Sequence, residues 1–200
     1  AGINIEFTDY KKTKQENIVN EILERSCEWF QNNLYDQDAL HCREYLKLRN
    51  LSKDTISKFK LGYSFNSKST LYEYLKTKSF NEEEIIKSNV TKIDKNNKTK
   101  DYFYKRLIFP IIDIGNNIVG FGGRSLDDSN PKYINSPESY FFQKRKLLYN
   151  MVKAKNIARK KNNLLICEGY MDVISLYQNG IKSVVAPLGT SLTDEQLNLA

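Results

Sequence analysis

Leu164-Leu165-Ile166-Cys167-Glu168-Gly169-Tyr170-Met171-Asp172-Val173 is the stretch of sequence that decides the fold of this chain. Its short, continuous apolar run at 164–167 is typical of a strand buried in a parallel sheet. A helical pattern from Met171 to Gln178 follows, and Ser183 to Ala186 predicts a second strand. Another helix is predicted to begin at Thr193. This strand–helix–strand–helix order favours a parallel sheet with helical crossovers.

A sheet of two strands is not stable on its own, so the α/β unit that occupies residues 162–200 is expected to be incomplete. The chain is therefore expected to be a piece of a longer protein. We place the boundary before this unit at residues 161 and 162, where Asn162-Asn163 predicts a turn.

Residues 1–161 predict helices first and strands later. Apolar residues recur at helical spacing between Lys14 and Leu34, and further helices are predicted near Asp36, after Ser52 and after Asn81. Two strands are then predicted, joined by a hairpin turn at 115–117, and a last helix follows them. Their ranges are Tyr102–Asp113 and Ile118–Arg124 for the strands and Leu147–Lys161 for the helix. The expected fold class is α+β, a helical and mixed-sheet subdomain followed by the first half of an α/β unit.

Positive charge is concentrated in one segment of the chain. The whole chain carries a net charge of +7, and the window from Lys132 to Lys161 holds nine Lys and Arg against one acid, Glu138. That window therefore carries +8 and the remaining residues sum to −1. Concentrated basic charge is the expected footprint of a polyanionic partner such as nucleic acid. The alternative is a solvated helix face that is biased toward lysine.

Several classes of protein do not fit this sequence. No apolar run is long enough for a membrane span, and the first residues lack the pattern of a secretory signal. The three cysteines, Cys27, Cys42 and Cys167, are odd in number and far apart, which argues against a disulfide framework and a zinc site. We therefore expect a cytosolic, reducing compartment.

Three short segments could carry chemistry. Glu168 follows the predicted strand directly and Asp172 lies one helical turn later, so the two carboxylates could share a divalent cation or simply cap the helix. The glycines of 120–124 could allow the close approach of a phosphate to Arg124, or serve a turn or bulge. Segment 132–138 combines a cation, a ring and an amide, which can bind a nucleotide or a single strand, or form an ordinary surface loop.

Six blocks of sequence occur in an order that resembles one family closely, the RNA polymerase domain of bacterial replicative DNA primases of the DnaG type. They are Arg106-Leu107-Ile108-Phe109-Pro110-Ile111, Gly120-Phe121-Gly122-Gly123-Arg124, Lys132-Tyr133-Ile134-Asn135-Ser136-Pro137-Glu138, Phe142-Gln143-Lys144 with Leu148-Tyr149, Glu168-Gly169-Tyr170-Met171-Asp172-Val173 and Leu188-Gly189-Thr190-Ser191-Leu192-Thr193. Arg43-Glu44-Tyr45-Leu46, Arg49 and Phe59-Lys60-Leu61-Gly62-Tyr63 resemble the helical start of the same domain. The resemblance covers essentially the whole chain.

The resemblance implies roles for particular residues. Residues 162–200 would begin a toprim unit in which Glu168 and Asp172, beside each other in one turn, are catalytic residues and Glu168 is a metal ligand. A basic groove would hold the incoming nucleotide, the template and the primer, and its residues would be Arg106, Arg124, Lys132, Tyr133, Asn135 and Lys144. Gly189-Thr190-Ser191 would form a loop near the metal ions. The metal would be Mg²⁺ or Mn²⁺, with further acidic ligands expected beyond Ala200, and zinc would belong only to a module expected before Ala1.

The function that the resemblance implies is template-directed synthesis of short RNA primers on single-stranded DNA during replication. The enzyme would be a DNA-directed RNA polymerase that works by metal-assisted nucleotidyl transfer. Its expected partners are single-stranded DNA, ribonucleoside triphosphates, the RNA primer, the replicative helicase (through a separate C-terminal domain) and guanosine polyphosphates. A monomer in the bacterial cytoplasm is expected, or in an organelle of bacterial ancestry.

Three alternatives stay open at the level of sequence. A fused primase–helicase would continue into a P-loop ATPase. A toprim nuclease or topoisomerase would need a tyrosine nucleophile or nuclease acids elsewhere. A non-catalytic scaffold for single-stranded DNA would use only the basic face, and Glu168 would then cap a helix.

Overall fold

The computed structural model describes residues 6–65, 70–127, 130–189 and 191–199. The helices in this part of the chain are α1 (Glu6–Leu34), α2 (Leu40–Leu48), α3 (Lys53–Lys58), α4 (Leu71–Thr77), α5 (Glu82–Lys87), α6 (Met151–Lys161), α7 (Tyr170–Gln178) and α8 (Asp194–Leu199). The strands are β1 (Gly62–Ser64), β2 (Thr91–Ile93), β3 (Thr99–Asp101), β4 (Arg106–Ile112), β5 (Ile118–Ser125), β6 (Tyr133–Asn135), β7 (Leu165–Ile166) and β8 (Val184–Val185). Single 3₁₀ turns lie at Gln37–Ala39 and Lys144–Lys146.

Side-chain caps fix where several short helices begin. The predicted helix after Asn81 is confirmed, because the Asn81 side chain accepts from the backbone N–H of Glu84 and the Glu84 carboxylate accepts in return. Thr70 and Glu73 form the same reciprocal pair at the start of α4, a helix that the sequence patterns did not predict. Asp36 caps the 3₁₀ turn that precedes α2 rather than α2 itself.

The main sheet is antiparallel, in the order β1-β4-β5-β6, and both of its faces are covered. Along β4, Leu107 and Phe109 pack with α7 and the residues of α2, whereas Ile108 packs on the other side with α1. Successive side chains of a strand point to opposite faces, so covering both faces requires an apolar residue at nearly every position. The continuous run Leu107–Ile112 therefore belongs to the central strand of this sheet.

The second half of the chain has the predicted β-α-β-α order. Strands β7 and β8 are parallel, with Leu165 opposite Val184, and α7 connects them. The prediction that the first of these strands is buried is wrong for the described structure, because Leu165 and Ile166 are 43% and 38% exposed. Tyr149 forms an antiparallel bridge to Ala186, which attaches the β7–β8 pair to the segment before α6. The α+β fold class is confirmed, whereas the boundary between residues 161 and 162 stays a prediction.

Two predicted elements differ from the structure. The strand predicted at Tyr102–Asp113 is broken, because the backbone turns at Lys105 (φ 49°) and the Ser64 hydroxyl donates to the carbonyl of Phe103. The helix predicted at Leu147–Lys161 begins only at Met151. The N–H of Tyr149 instead donates to the carbonyl of Ala186 at 2.8 Å, so pairing with a distant strand prevents an earlier helix start.

No helix within the described ranges is both long and apolar enough to cross a bilayer.

Candidate functional site

The glycines of β5 make room for aromatic rings rather than for a phosphate. They lie within a strand and not in a turn. A Cβ added at Gly122 would lie 2.7 Å from the Tyr170 ring, and one at Gly120 would lie 2.7 Å from the Phe142 ring. A Cβ at Gly123 would meet Phe103 at 2.7 Å. The missing side chains thus allow rings from both sides to contact the sheet, and this packing positions Tyr170 close to β5.

The side chain of Arg124, a residue of β5, lies between two tyrosine rings. Its guanidinium carbon lies 4.6 Å from the centroid of Tyr45 and 5.3 Å from that of Tyr133, and Nη1 donates to the Tyr133 hydroxyl at 2.8 Å. Arg124 is 8% exposed, its Nε has no hydrogen-bond partner, and no acid of the described residues forms an ion pair with it. A buried guanidinium without a carboxylate partner is a strong candidate to receive an anion.

A second arginine shares the Tyr45 ring. The guanidinium carbon of Arg49 lies 5.3 Å from the ring centroid, so two positive charges lie close to one aromatic side chain. Burial raises the pKa of Tyr133 and so keeps the phenol protonated, although the charge of Arg124 acts in the opposite direction. Tyr45 and Arg49 had no role predicted from the sequence. Their i, i+4 spacing was the available signal, because it places Tyr45 and the C-cap residue Arg49 on one side of the end of α2.

Arg106, a predicted groove residue, is the first residue of β4 and is buried. It is 7% exposed, and its Nη1 donates to the carbonyls of Lys132 at 3.2 Å and Gly123 at 3.4 Å. These bonds attach the start of β6 to the sheet. The side chains of Lys132 and Tyr133, by contrast, are exposed on the surface. Arg106 therefore supports the chain segment that presents Lys132, and its own predicted contact with a ligand stays a prediction.

Asn135 uses both ends of its amide within the protein. Its Nδ2 donates to the carbonyl of Leu188 at 2.9 Å, and its Oδ1 accepts from the Tyr170 hydroxyl at 2.5 Å. The side chain therefore ties β6 to the segment before Gly189. The loop expected at Gly189-Thr190-Ser191 includes Thr190, which lies outside the described residues.

Tyr170 begins α7 and is held by three rings. It stacks on Phe109 with centroids 5.0 Å apart, meets Tyr149 edge-on at 4.7 Å, and lies 6.3 Å from Tyr133. Burial raises the pKa of its phenol well above the ordinary value, so the group stays a hydrogen-bond donor. Because Glu168 and Gly169 directly precede it, Tyr170 fixes where the β7–α7 turn lies against the sheet.

Glu168 and Asp172 are both exposed on this turn and the first turn of α7. Within the described ranges neither carboxylate takes part in a hydrogen bond or an ion pair, and the N-cap position of α7, Gly169, has no side-chain cap. The alternative that these acids cap the helix therefore finds no support in their contacts. Carboxylate oxygens suit Mg²⁺ and Mn²⁺. The described residues contain no group of three or more metal-binding side chains, so these two acids would supply only part of a coordination sphere.

Lys144 is held through its backbone by two other segments of the chain. Its backbone N–H donates to the Glu138 carboxylate at 3.1 Å, and its carbonyl accepts from the Gln196 side chain at 2.9 Å. These contacts hold the 3₁₀ turn against α8. Within the described residues, the half-buried Lys144 side chain forms no hydrogen bond, ion pair or ring contact with the other predicted groove residues.

Comparison with known proteins identifies two matching families. The DNA primase catalytic core, N-terminal domain, matches residues 29–155, and the Toprim domain matches residues 162–200. A DNA primase of Clostridium acetobutylicum is 38% identical over 98% of this chain and 33% of the relative. The chain thus spans about a third of the length of the curated relatives that it matches.

Solved structures agree with this assignment. The RNA polymerase domain of Mycobacterium tuberculosis primase DnaG, in complex with a double-stranded DNA oligomer with a 6-nucleotide overhang, superposes with a TM-score of 0.86. It is 26% identical and the match covers 92% of this chain and 58% of that chain. A DnaG primase catalytic domain bound to ssDNA has a TM-score of 0.82 at 34% identity, over 94% of this chain and 60% of that one.

Proposed function

This chain belongs to the DNA primase catalytic-core family, and we propose that it forms the part of a primase that binds single-stranded template DNA and incoming ribonucleotides beside a divalent metal site. The observation that carries the proposal is the Arg124 guanidinium, which is buried between Tyr45 and Tyr133 without an acidic partner. Related catalytic domains that bind DNA support the choice of nucleic acid as partner.

The groove residues supply charge and stacking surface. Arg124 and the exposed Lys132 would neutralise phosphates, the first through a fork of donors and the second as a mobile point charge. Tyr133 is 39% exposed and offers a ring face to a base or sugar. The guanidinium is already held in place before a ligand arrives, so little conformational entropy would be lost on binding.

Glu168 and Asp172 are the residues of this chain that would hold Mg²⁺ or Mn²⁺. A bound divalent ion would neutralise charge on a triphosphate and its leaving group. The complete site requires more oxygen ligands than these two residues supply. Tyr170 and Asn135 would keep the acidic turn, the β7–α7 turn that carries Glu168, at a fixed distance from the groove. Phosphates held by Arg124 and Lys132 would then face the carboxylates.

The proposed reaction is nucleotidyl transfer between ribonucleotides aligned on a DNA template, giving a short RNA primer. Most of the rate enhancement would come from positioning and electrostatic stabilisation, since phosphoryl transfer needs little covalent chemistry from the protein. The same proposal includes three further properties. They are binding of the replicative helicase through another domain, inhibition by guanosine polyphosphates at the groove and a cytoplasmic location.

Primer synthesis from unprimed single-stranded DNA by the natural full-length protein tests the proposal. The assay would compare the unsubstituted protein with Glu168→Gln, with Lys132→Ala and with Lys95→Ala, a matched control on the exposed β2–β3 turn. We expect RNA primers from the unsubstituted protein and the control, and loss of primers from the other two. DNA binding without RNA synthesis by every protein would instead favour the non-catalytic scaffold.

A further inference from the structure

Most of the basic segment lies outside the groove. Of the nine Lys and Arg residues between 132 and 161, only Lys132 and Lys144 belong to the predicted groove. Five of the others lie on α6, namely Lys153, Lys155, Arg159, Lys160 and Lys161. The charge of α6 is therefore not accounted for by nucleotide binding at Arg124 and Tyr133.

Three lysines from different elements converge on two adjacent rings beside α6. Lys153 Nζ lies 5.4 Å from the centroid of Phe59, whose ring meets that of Tyr177 at 5.2 Å. Lys58 and Lys182 lie 5.7 and 6.0 Å from the centroid of Tyr177. The ammonium groups of α6, of α3 and of the loop before β8 therefore share one small aromatic platform.

Lys60 completes this surface, which we name the lysine patch (Lys58, Lys60, Lys153 and Lys182). Within the described part of the chain, Lys60 is the one member with an ion-pair partner, Glu24 at 3.5 Å. Burial lowers the pKa of Lys153, and the charges of Lys60 and Lys58 lower it further. Like charges are thus crowded with little compensation from acids, and a bound polyanion would relieve their repulsion.

Further cations on α6 adjoin the lysine patch. Ser183 Oγ donates to Asn163 Oδ1 at 3.0 Å, which places Lys182 beside the C-terminal end of that helix. Exposed Arg159, Lys160 and Lys161 occupy this end. The helix rises about 1.5 Å per residue, so Lys153 and Lys161 are about 12 Å apart along the axis. Cations therefore extend over a distance that several phosphates of one strand could cover.

We propose that the lysine patch is a second DNA-binding surface, which holds the sugar–phosphate backbone of a template strand outside the groove. Lysines are flexible point charges that suit phosphates and do not read base edges. Phe59 is buried and lysines cover the platform, so bases do not stack there. Tyr170 lies at the end of α7 next to the groove, and Tyr177 lies at the end next to the patch. The two residues are roughly 10 Å apart along the helix axis. The proposal rests on the proposed primase function.

Binding of two lengths of single-stranded DNA to the natural full-length protein tests the second surface. One strand of about 6 nucleotides would fill the groove alone, and one of about 20 would reach beyond it. The variant carries Lys58→Ala, Lys153→Ala and Lys182→Ala together. Its control removes the same charge from exposed lysines elsewhere, with Lys76→Ala, Lys95→Ala and Lys98→Ala.

We expect the patch variant to bind the long strand on the order of tenfold more weakly. The slope of the logarithm of its binding constant against the logarithm of salt concentration should be smaller in magnitude by about 2. It should bind the short strand like the unsubstituted protein, and the control should bind both normally.

Unchanged binding of the long strand would overturn the patch and leave the proposed function intact, provided that the short strand still binds and primers are made. Equal weakening of binding for both lengths of strand would also overturn the patch. Poly-glutamate serves as a polyanion that is not a nucleic acid, and a patch variant that loses poly-glutamate binding but binds DNA normally would overturn it too. Absence of DNA binding by the unsubstituted protein would reject the patch and the proposed function together.

Discussion

The Tyr170 hydroxyl donates a hydrogen bond of 2.5 Å to Oδ1 of Asn135, and this bond joins two segments that are distant in the chain. Tyr170 lies two residues after Glu168, and Asn135 lies two residues after Tyr133. The same amide donates to the Leu188 carbonyl. One polar side chain therefore relates the position of the acidic turn to that of the groove.

Tyr170→Phe should lower the free energy of unfolding by about 1–2 kcal/mol, because it leaves the part-buried Asn135 oxygen without its donor while keeping the ring stack on Phe109. Urea unfolding of the natural protein measures the change. Tyr35→Phe is a suitable control, since Tyr35 is 63% exposed. A double-mutant cycle with Asn135→Ala should give a coupling energy above about 0.5 kcal/mol. Additive effects in that cycle would show that the bond does not form in solution.

Gly122→Ala should destabilise the protein by about 1–3 kcal/mol, because the new Cβ would lie 2.7 Å from the Tyr170 ring. The ring is held by Phe109 and Tyr149 and cannot move without disturbing them. Thermal unfolding should show a fall in Tm of about 2–4 °C for each kcal/mol. Gly115→Ala is the control, because its Cβ would meet only the ends of two surface side chains, Asn117 Nδ2 at 3.1 Å and Asp113 Oδ1 at 3.2 Å. Equal Tm values for the two variants would contradict the packing role of Gly122.

Local patterns were sufficient to predict the β-α-β-α unit and the Asn81 cap, since both depend on neighbours in sequence. They could not predict that Tyr149 pairs with Ala186, because that pairing depends on a strand more than thirty residues away. The helical spacing after Leu147 is therefore overridden at its first turn. The broken strand at Lys105 has a similar cause, a hydrogen bond from Ser64 to Phe103.

Only part of the candidate site could be predicted, because several of its contacts join segments that are distant in the chain. Glu168, Lys132 and Tyr133 are exposed, and their contact with a ligand stays a prediction. Burial of Arg106 and the internal use of Asn135 could not be predicted, since both depend on carbonyls supplied by other strands. Tyr45 gains its place beside Arg124 only when α2 packs near the sheet.

Arg124→Lys should weaken binding of single-stranded DNA on the order of tenfold, even though the charge is kept. A lysine lacks the planar group that stacks between Tyr45 and Tyr133 and lacks the fork that binds phosphate. Fluorescence anisotropy with a labelled strand measures the affinity. Arg25→Lys, at an exposed ion pair on α1, should bind normally. An Arg124→Lys protein with unchanged affinity would mean that charge alone suffices at this position.

Asp94 should titrate well below the ordinary range of an aspartate. The Lys100 ammonium, 2.7 Å away, and the N–H groups of Lys98 and Asn96 stabilise the carboxylate and lower its pKa from 3.8 to about 2. A depressed pKa contributes stability that is present above pH 3.8 and is lost as the pH falls through about 2. NMR titration of the side-chain carboxyl checks the value, and Lys100→Ala should raise it toward 3.8. A titration near the ordinary value in the unsubstituted protein would show that the turn is not held this way.

Glu168→Gln should separate catalysis from stability. Its carboxylate has no partner among the described residues, so the free energy of unfolding should change by less than about 0.5 kcal/mol. Loss of a helix-capping carboxylate would cost about 1 kcal/mol instead. Primer synthesis should fall on the order of 100-fold, because a metal ligand contributes several kcal/mol to transition-state stabilisation. Asp172→Asn should lower the rate as well and raise the metal concentration needed for half-maximal activity. A destabilised Glu168→Gln protein with normal primer synthesis would assign the residue to the helix end and remove it from the metal site.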